Sequence, residues 1–470
     1  MMLNWTYKLG FILAAAAWGL GLGGCAAKPS PTTEEVVAQA LPPETSVPDT
    51  WDSLAEKAGP VELGWLQSFQ DPGLEALITE ALKHNPGLQM AAAGVESAAA
   101  AAVIAGAALK PTVAVGAGAE QTYGGSPIDT NSWAVGMSWE LDLWGKLRAR
   151  AAAGEAVYEA TVADYQGSRQ SLAAMTAKSW FLSTEAHNQK SLADESVQIN
   201  QRMLELAQAR FRVGKVSRQD VHLAQADLSQ SEERLRQTQI AFEQVARGLE
   251  LLLGRYPGAD IEVRKEITPV PPPVPVGLPA ELLQRRPDLV AAERRVAAAF
   301  QLTVEAEAAR LPSVSLTAGG GQASNDLVNL LGVDRNFFNV GANFLAPVYS
   351  GGALKAQVQI ATADQKAATA AYGQTALTAF SEVETALSNE RLLTEREAFL
   401  TEVVQENQAA LQLAEKQYKV GRIDLLSVLI IQARLIGARA ALISIRNDRL
   451  ANRVNLHLAL GGSFENPEGN

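Results

Sequence analysis

Few side chains in this chain are equipped for chemistry. Four histidines and one cysteine are spread over 470 residues, so no metal-ligand cluster suggests itself. No phosphate-binding glycine motif is present. The net charge of -11, with basic residues scattered, argues against a nucleic-acid partner. Two kinds of position remain. One is Cys25, the sole thiol, which rules out an internal disulfide. The other is a pair of glycine-centred turns, FRVGKVSRQDVHL (211–223) and YKVGRIDLLSVL (418–429). Both read aromatic, basic, valine, glycine, basic, aliphatic. A reversal between helices needs a residue tolerant of positive φ, which Gly214 and Gly421 supply.

The leader MMLNWTYKLGFILAAAAWGLGLGGC has Lys8, an apolar run from Leu9 to Leu22 and then small residues. That is a secretory signal over residues 1–24, too short for a confident membrane span. Leu22-Gly23-Gly24-Cys25 resembles the bacterial lipobox, which implies cleavage before Cys25 and a covalent lipid such as palmitate on it. The plain alternative is an ordinary signal peptide followed by an idle thiol. Ala26, not aspartate, follows, and by the same resemblance this favours sorting to the outer membrane. Residues 25–61 are proline-rich without periodicity and read as an extended arm.

The elements that position the turns come in two copies. Asn85-Pro86-Gly87-Leu88 recurs as Arg286-Pro287-Asp288-Leu289, and Lys110-Pro111 as Leu311-Pro312. The offset is 201 from Pro86 to Pro287 and 207 from Gly214 to Gly421, a drift that loop insertions produce. One repeat therefore spans 62–254 and the other 279–461. A proline-rich linker and equatorial segment (255–278) separates them, and a short tail (462–470) follows.

Each repeat holds two stretches with a period of two, near 111–120 and 131–141 and again near 312–321 and 337–347. In the second, Trp133, Val135, Met137, Trp139 and Leu141 alternate with small or polar residues; in the fourth, Phe338, Val340, Ala342, Phe344 and Ala346 do so, with Leu345 as the exception. A sheet on a soluble core is one reading. Lengths near ten residues suit a tilted bilayer crossing. Four strands cannot close a barrel, and an open edge in hydrocarbon leaves backbone groups unpaired, so spanning strands force an oligomer.

Between strands and turns, 145–211 and 352–418 contain no proline and predict helices roughly 100 Å long. Segments 73–109, 218–253, 279–310 and 424–460 predict helices of about half that length, which the shortest packing places end to end beside the long ones. Alanine dominates, which favours wall-like packing around a lumen; a solid bundle is the alternative.

A duplicated, exported chain with four membrane-type strands and long hairpins ending in glycine turns resembles the outer-membrane factor family, the TolC-like channels of tripartite efflux systems, in its lipoprotein branch. The residues carrying this are Gly64 to Pro72 (GWLQSFQDP), Asn85-Pro86, Glu140 to Gly145 (ELDLWG), Arg285 to Leu289 (RRPDL), Leu311-Pro312-Ser313, Ala346 to Tyr349 (APVY) and the two turns. The resemblance implies an α+β membrane protein. It would be a homotrimer, with a twelve-stranded β-barrel built from four strands per subunit and continuous with a long periplasmic α-helical barrel. An equatorial domain from segments near 62–73, 255–280 and the C-terminus would girdle it. The implied function is a passive exit duct for small molecules, with no catalysis and no cofactor beyond the lipid on Cys25. A periplasmic adaptor, an inner-membrane transporter and outer-membrane lipid would be its partners. Protein secretion through the same kind of channel is the alternative, and a periplasmic coiled coil without a pore is another class.

The resemblance also assigns the tips. Asp220, six residues after Gly214, would pair with Tyr418, three before Gly421, through a phenol-to-carboxylate hydrogen bond that breaks on opening. Gly214, Lys215, Gly421 and Arg422 would meet the adaptor. The second turn departs from the family, which often has acids six and nine residues past its glycine. Here those positions are Ser427 and Ile430, and Asp424 is the nearest acid. Asp424 at the mouth is one reading; a hydrophobic constriction of Ile430, Leu426 or Leu429 that gates by dewetting is another, and the plus-nine position facing a neighbouring helix is the plain alternative.

Overall fold

The computed structural model describes residues 29–41, 50–53, 61, 63–122, 128–277, 279–324 and 336–465. The expected signal peptide and the expected lipidation site Cys25 lie outside them. Contacts divide the chain into two compact units. The first comprises residues up to Thr45 with Gly94–Val162 and Ala291–Gln374; the second comprises Ser46–Ala93, Ala163–Val290 and Thr375–Asn470.

In chain order the elements begin with α1 (Thr33–Ala40), α2 (Trp65–Ser68), α3 (Pro72–His84) and α4 (Pro86–Ala107). Strands β1 (Thr112–Thr122) and β2 (Ile128–Leu141) follow, then the long α5 (Lys146–Arg212) and its return α6 (Arg218–Leu252). The second half has α7 (Pro279–Arg285), α8 (Pro287–Ala308), β3 (Ser313–Ser324), β4 (Asn336–Leu345), α9 (Ala353–Lys419) and α10 (Leu425–Ala459). The duplication is metrically close. Helices α4 and α8 have 22 residues each, α5 and α9 have 67, and α6 and α10 have 35.

The predicted helices over 73–109 and 279–310 are each broken once. The residue before proline is disfavoured in the α region. Asn85 accordingly takes φ -65°, ψ 120°, ending α3. Its side chain then caps α4 by accepting from the Leu88 N–H at 3.0 Å and donates to the Leu252 carbonyl at 2.9 Å. At the second break Arg286 is buried and grips Asp288 and Glu382, at 2.7 and 2.6 Å.

In the first unit the strands form one antiparallel sheet of order β1-β2-β3-β4. Its register places most apolar residues of the four strands on one face, with Phe337 and Leu345 as exceptions. Val115 lies opposite Val135, which lies opposite Gly320, which lies opposite Phe338. Val113, Met137, Ala318 and Val340 make the next row. The other face carries Gly116, Ala134, Gly321 and Phe337, then Ala114, Gly136, Gly319 and Asn339. Phe337 apart, these are small or polar. Val113, Val115, Phe338, Val340 and Phe344 are exposed.

Also in this unit, residues 33–40 are helical where an extended arm was expected. Thr32 and Glu35 form a capping box, which starts the helix. Val36 is buried, and Thr33 Oγ1 donates to Glu293 at 3.1 Å. Gly373 lets α1 approach α9: a Cβ there would collide with the Ala40 carbonyl.

In the second unit residues of the non-repeating segments share one core with residues of the first repeat. Trp65, Leu66, Phe69, Ile261 and Phe464 pack with Leu74, Ile78, Phe181 and Leu249. Asp71 organises it. Its carboxylate accepts from the Gly73 and Leu74 N–H groups, Trp180 Nε1 (3.0 Å) and Thr268 Oγ1 (3.2 Å). Burial would raise its pKa, but the bonds from Trp180, Leu74 and Thr268 and the charge of Arg264 outweigh that and hold it below the ordinary value. Buried Arg453 anchors the proline-rich linker by donating to the carbonyls of Pro271 (2.9 Å) and Pro272, and to Glu390 at 2.5 Å.

Candidate functional site

Each long helix ends in the same way. The Gly214 N–H donates to the Phe211 carbonyl and the Lys215 N–H to the Arg210 carbonyl, both at 2.9 Å. The Gly421 N–H and Arg422 N–H repeat this on Tyr418 and Gln417, also at 2.9 Å. These are Schellman closures, which need φ > 0 at the glycine, here +71° and +75°. Nothing lies within 4 Å of a Cβ built at either, so the backbone alone demands glycine.

The N-cap of the next helix stands three residues after each glycine, and here the repeats differ by an exchange. In the first turn Ser217 is the N-cap and Asp220 the third helical residue; Ser217 N–H donates to the Asp220 carboxylate at 2.8 Å and Asp220 N–H to Ser217 Oγ at 3.2 Å. In the second, Asp424 is the N-cap and accepts from the Ser427 N–H at 2.9 Å. The Ser427 hydroxyl and N–H hold the Asp424 carboxyl below its ordinary pKa. Ser427, which reads as a lost acid, is the counterpart of Asp220 with acid and hydroxyl swapped. A helix start accepts the pair either way round.

The expected hydrogen bond between Asp220 and Tyr418 is not formed. The Asp220 carboxylate is engaged by Ser217, N–H and hydroxyl both at 2.8 Å. Tyr418 is 3% exposed and packs with Leu204, Ala207, Leu411, Leu425 and Val428, and its hydroxyl has no hydrogen-bond partner among the described residues. Phe211, which occupies the matching place in the first repeat, is 42% exposed. What touches Tyr418 instead is Arg210, a residue the sequence reading missed. Its guanidinium lies 4.4 Å from the ring centroid, and Nη1 donates to the Tyr418 carbonyl at 3.0 Å. The signal was present: the counterpart of Arg210 is Gln417, a charge difference between otherwise similar turns.

The apolar candidates separate. Leu426 and Ile430 are 47% and 45% exposed and, four residues apart on α10, share a face. Leu429 is 9% exposed and belongs to the core of the tip, so it drops out as a constriction. Lys215 and Arg422 are exposed, as are Val213 and Val420 beside them.

Away from the tip the helices α5 and α10 meet along a polar seam. Gln432 donates to Asn200 at 2.8 Å in a buried bond, Arg439 reaches Glu195 at 2.8 Å, and Gln189 donates to the Ala440 carbonyl at 2.9 Å. A cleft of about 550 Å³ opens beside it, lined by Asn200, Asp227, Ser231, Thr238 and Gln432. Burial pushes the Asp227 carboxyl above its ordinary pKa.

The outer membrane efflux protein family matches this chain over residues 77–255 and 278–462, both repeats. The toluene efflux pump outer membrane protein TtgC of Pseudomonas putida is 30% identical over 469 residues, covering 97% of this chain and 96% of that protein. Among solved structures, the outer-membrane channel OprN superposes with a TM-score of 0.82 at 26% identity, covering 90% of this chain and 99% of that one. The open state of the MtrE outer membrane channel of Neisseria gonorrhoeae gives 0.79 at 27% identity, covering 90% and 97%. The expected fold class, a β-barrel joined to a long helical barrel, is that of these channels. Two matched halves, one sheet with an apolar face and two glycine-ended hairpins lead to one conclusion: the chain belongs to the outer membrane efflux protein family.

Proposed function

We propose that this protein is the passive outer-membrane exit duct of a tripartite efflux pump for small molecules. The four-stranded sheet carries the reading. Most of its apolar residues, Phe337 and Leu345 excepted, share one face and the other face is mainly small and polar, which suits a wall between lipid and a wet lumen. β1 and β4 each have a neighbour on one side only, and unpaired backbone groups are intolerable in hydrocarbon. Three copies, joined β1 to β4, close a barrel of twelve strands and remove every edge.

The energy for export belongs to the inner-membrane transporter, and the duct conducts. The tips bearing Gly214, Lys215, Gly421 and Arg422 meet the periplasmic adaptor; exposed Val213 and Val420 with a charged neighbour suit a contact of apolar centre and polar rim. Asp220, Tyr418, Asp424, Ser427 and Ile430 belong to the gate. A lipid on Cys25 anchors the N-terminus. The relatives named above are efflux proteins, which favours this reading over protein secretion.

Deleting the gene and scoring sensitivity to drugs, solvents and metals, with complementation, tests the function. Restored resistance to small toxic compounds supports it. Unchanged sensitivity with loss of a secreted protein overturns it.

A further inference from the structure

We propose that Arg210 is the intrasubunit latch of the closed gate, holding the two hairpins together by gripping the ring face and backbone of Tyr418. The inference rests on the duct reading above and names the residue on which its gate turns. Three observations converge. The guanidinium stacks 4.4 Å from the ring centroid of Tyr418. The same group donates to the Tyr418 carbonyl at 3.0 Å. That carbonyl also accepts the Gly421 N–H closing the second turn. One side chain on α5 is thereby attached to the last turn of α9 and, through it, to the closure of the other hairpin.

The chemistry suits a latch. A planar guanidinium can lie on an aromatic face and still send an N–H to an adjacent carbonyl, which an ammonium cannot match. The apolar cluster around Tyr418 shields the contact from water, so it is stronger than an exposed pair. Each subunit has one such contact, since the symmetry-related position is Gln417 and its aromatic counterpart Phe211 is turned outward. Separating the hairpins at the tip must therefore break this contact. The Tyr418 hydroxyl has no part in it, having no hydrogen-bond partner among the described residues.

That last point makes the proposal testable against the alternative in which Asp220 holds the tyrosine hydroxyl. Closed-state conductance would be measured in planar bilayers for the purified full-length protein and for Arg210→Ala, Arg210→Lys, Tyr418→Leu and Tyr418→Phe. Arg210→Ala and Tyr418→Leu are expected to raise it several-fold, Arg210→Lys by less, and Tyr418→Phe not at all. Unchanged melting and oligomer size in each variant exclude a merely structural effect. Should Arg210→Ala destabilise the protein, Arg210→Lys against Tyr418→Phe carries the comparison. Wild-type conductance in both arginine variants overturns the latch while leaving the duct intact. Opening by Tyr418→Phe alone overturns it in favour of the hydroxyl. A wild type that never conducts, open or closed, removes the duct reading and the latch with it.

Discussion

The imidazole of His457 lies face to face on the indole of Trp65, with ring centroids 5.7 Å apart and 18° between the planes. Neither ring nitrogen has a hydrogen-bond partner among the described residues. Burial, reinforced by the charge of Arg453, pulls the His457 pKa down to about 3. An unfolded chain takes this proton as pH falls through the ordinary value of 6.5, whereas the folded one does not until about 3. Over that window acid favours unfolding, by up to ~1.4 kcal/mol per pH unit. Buried carboxylates act later. Asp71 is held low, and so is Glu397, where burial is outweighed by the bonds from Arg449 and Arg446; both contributions are lost only below 3.8 and 4.5 respectively. Melting temperature should therefore fall between pH 6.5 and 5 in wild type and fall less steeply in His457→Phe, where His187, also held low by burial, still acts in that window. Parallel curves for the two proteins would sink the assignment.

Leu426 and Ile430 are predicted to act on conductance and Leu429 on stability. Replacing both exposed residues by alanine should raise closed-state conductance with little change in melting, because neither is packed in the core of the tip. Leu429→Ala should instead cost about 2–5 kcal/mol. The reverse pattern would place the constriction elsewhere.

The two faces of the sheet should respond differently to charge. Val340 lies on the apolar face and Asn339 on the other. A lysine on the lipid side near the bilayer midplane costs about 2–4 kcal/mol, whereas a lumen position tolerates it. Val340→Lys should depress the yield of folded oligomer in liposomes and Asn339→Lys should not. Equal yields would contradict the assignment of faces.

Gly373 should be required by the N-terminal segment rather than by α9 itself. An added methyl would meet the Ala40 carbonyl, while alanine is the better residue within a helix. Gly373→Ala is expected to leave the melting of the helices intact and to make residues 33–40 cleavable by protease. Continued protection of that segment would refute the close approach.

Much of this architecture is local and was legible in order along the chain. Alanine-rich, proline-free stretches between glycine turns produce helices of 67 residues twice, because propensity and Schellman closure act over a few residues. Alternation with a period of two marked the strands for the same reason. The breaks at Asn85 and Arg286 were equally local, a proline effect that the expectation of unbroken helices over 73–109 and 279–310 passed over. The capping pair Thr32 and Glu35 announced a helix within a segment expected to be extended.

What the sequence by itself determined is this set of elements, their duplication and their ends, since each is decided by contacts within a turn or two of helix. Only the tertiary structure decided which of two equivalent residues is buried. Tyr418 enters the core while Phe211 faces outward, Leu429 packs while Leu426 and Ile430 do not, and Asp220 serves its own helix start. A repeat in sequence supplies matching side chains, but burial depends on long-range packing between the repeats. There the two copies face different neighbours, so the charge at Arg210 finds a partner that no local pattern specifies.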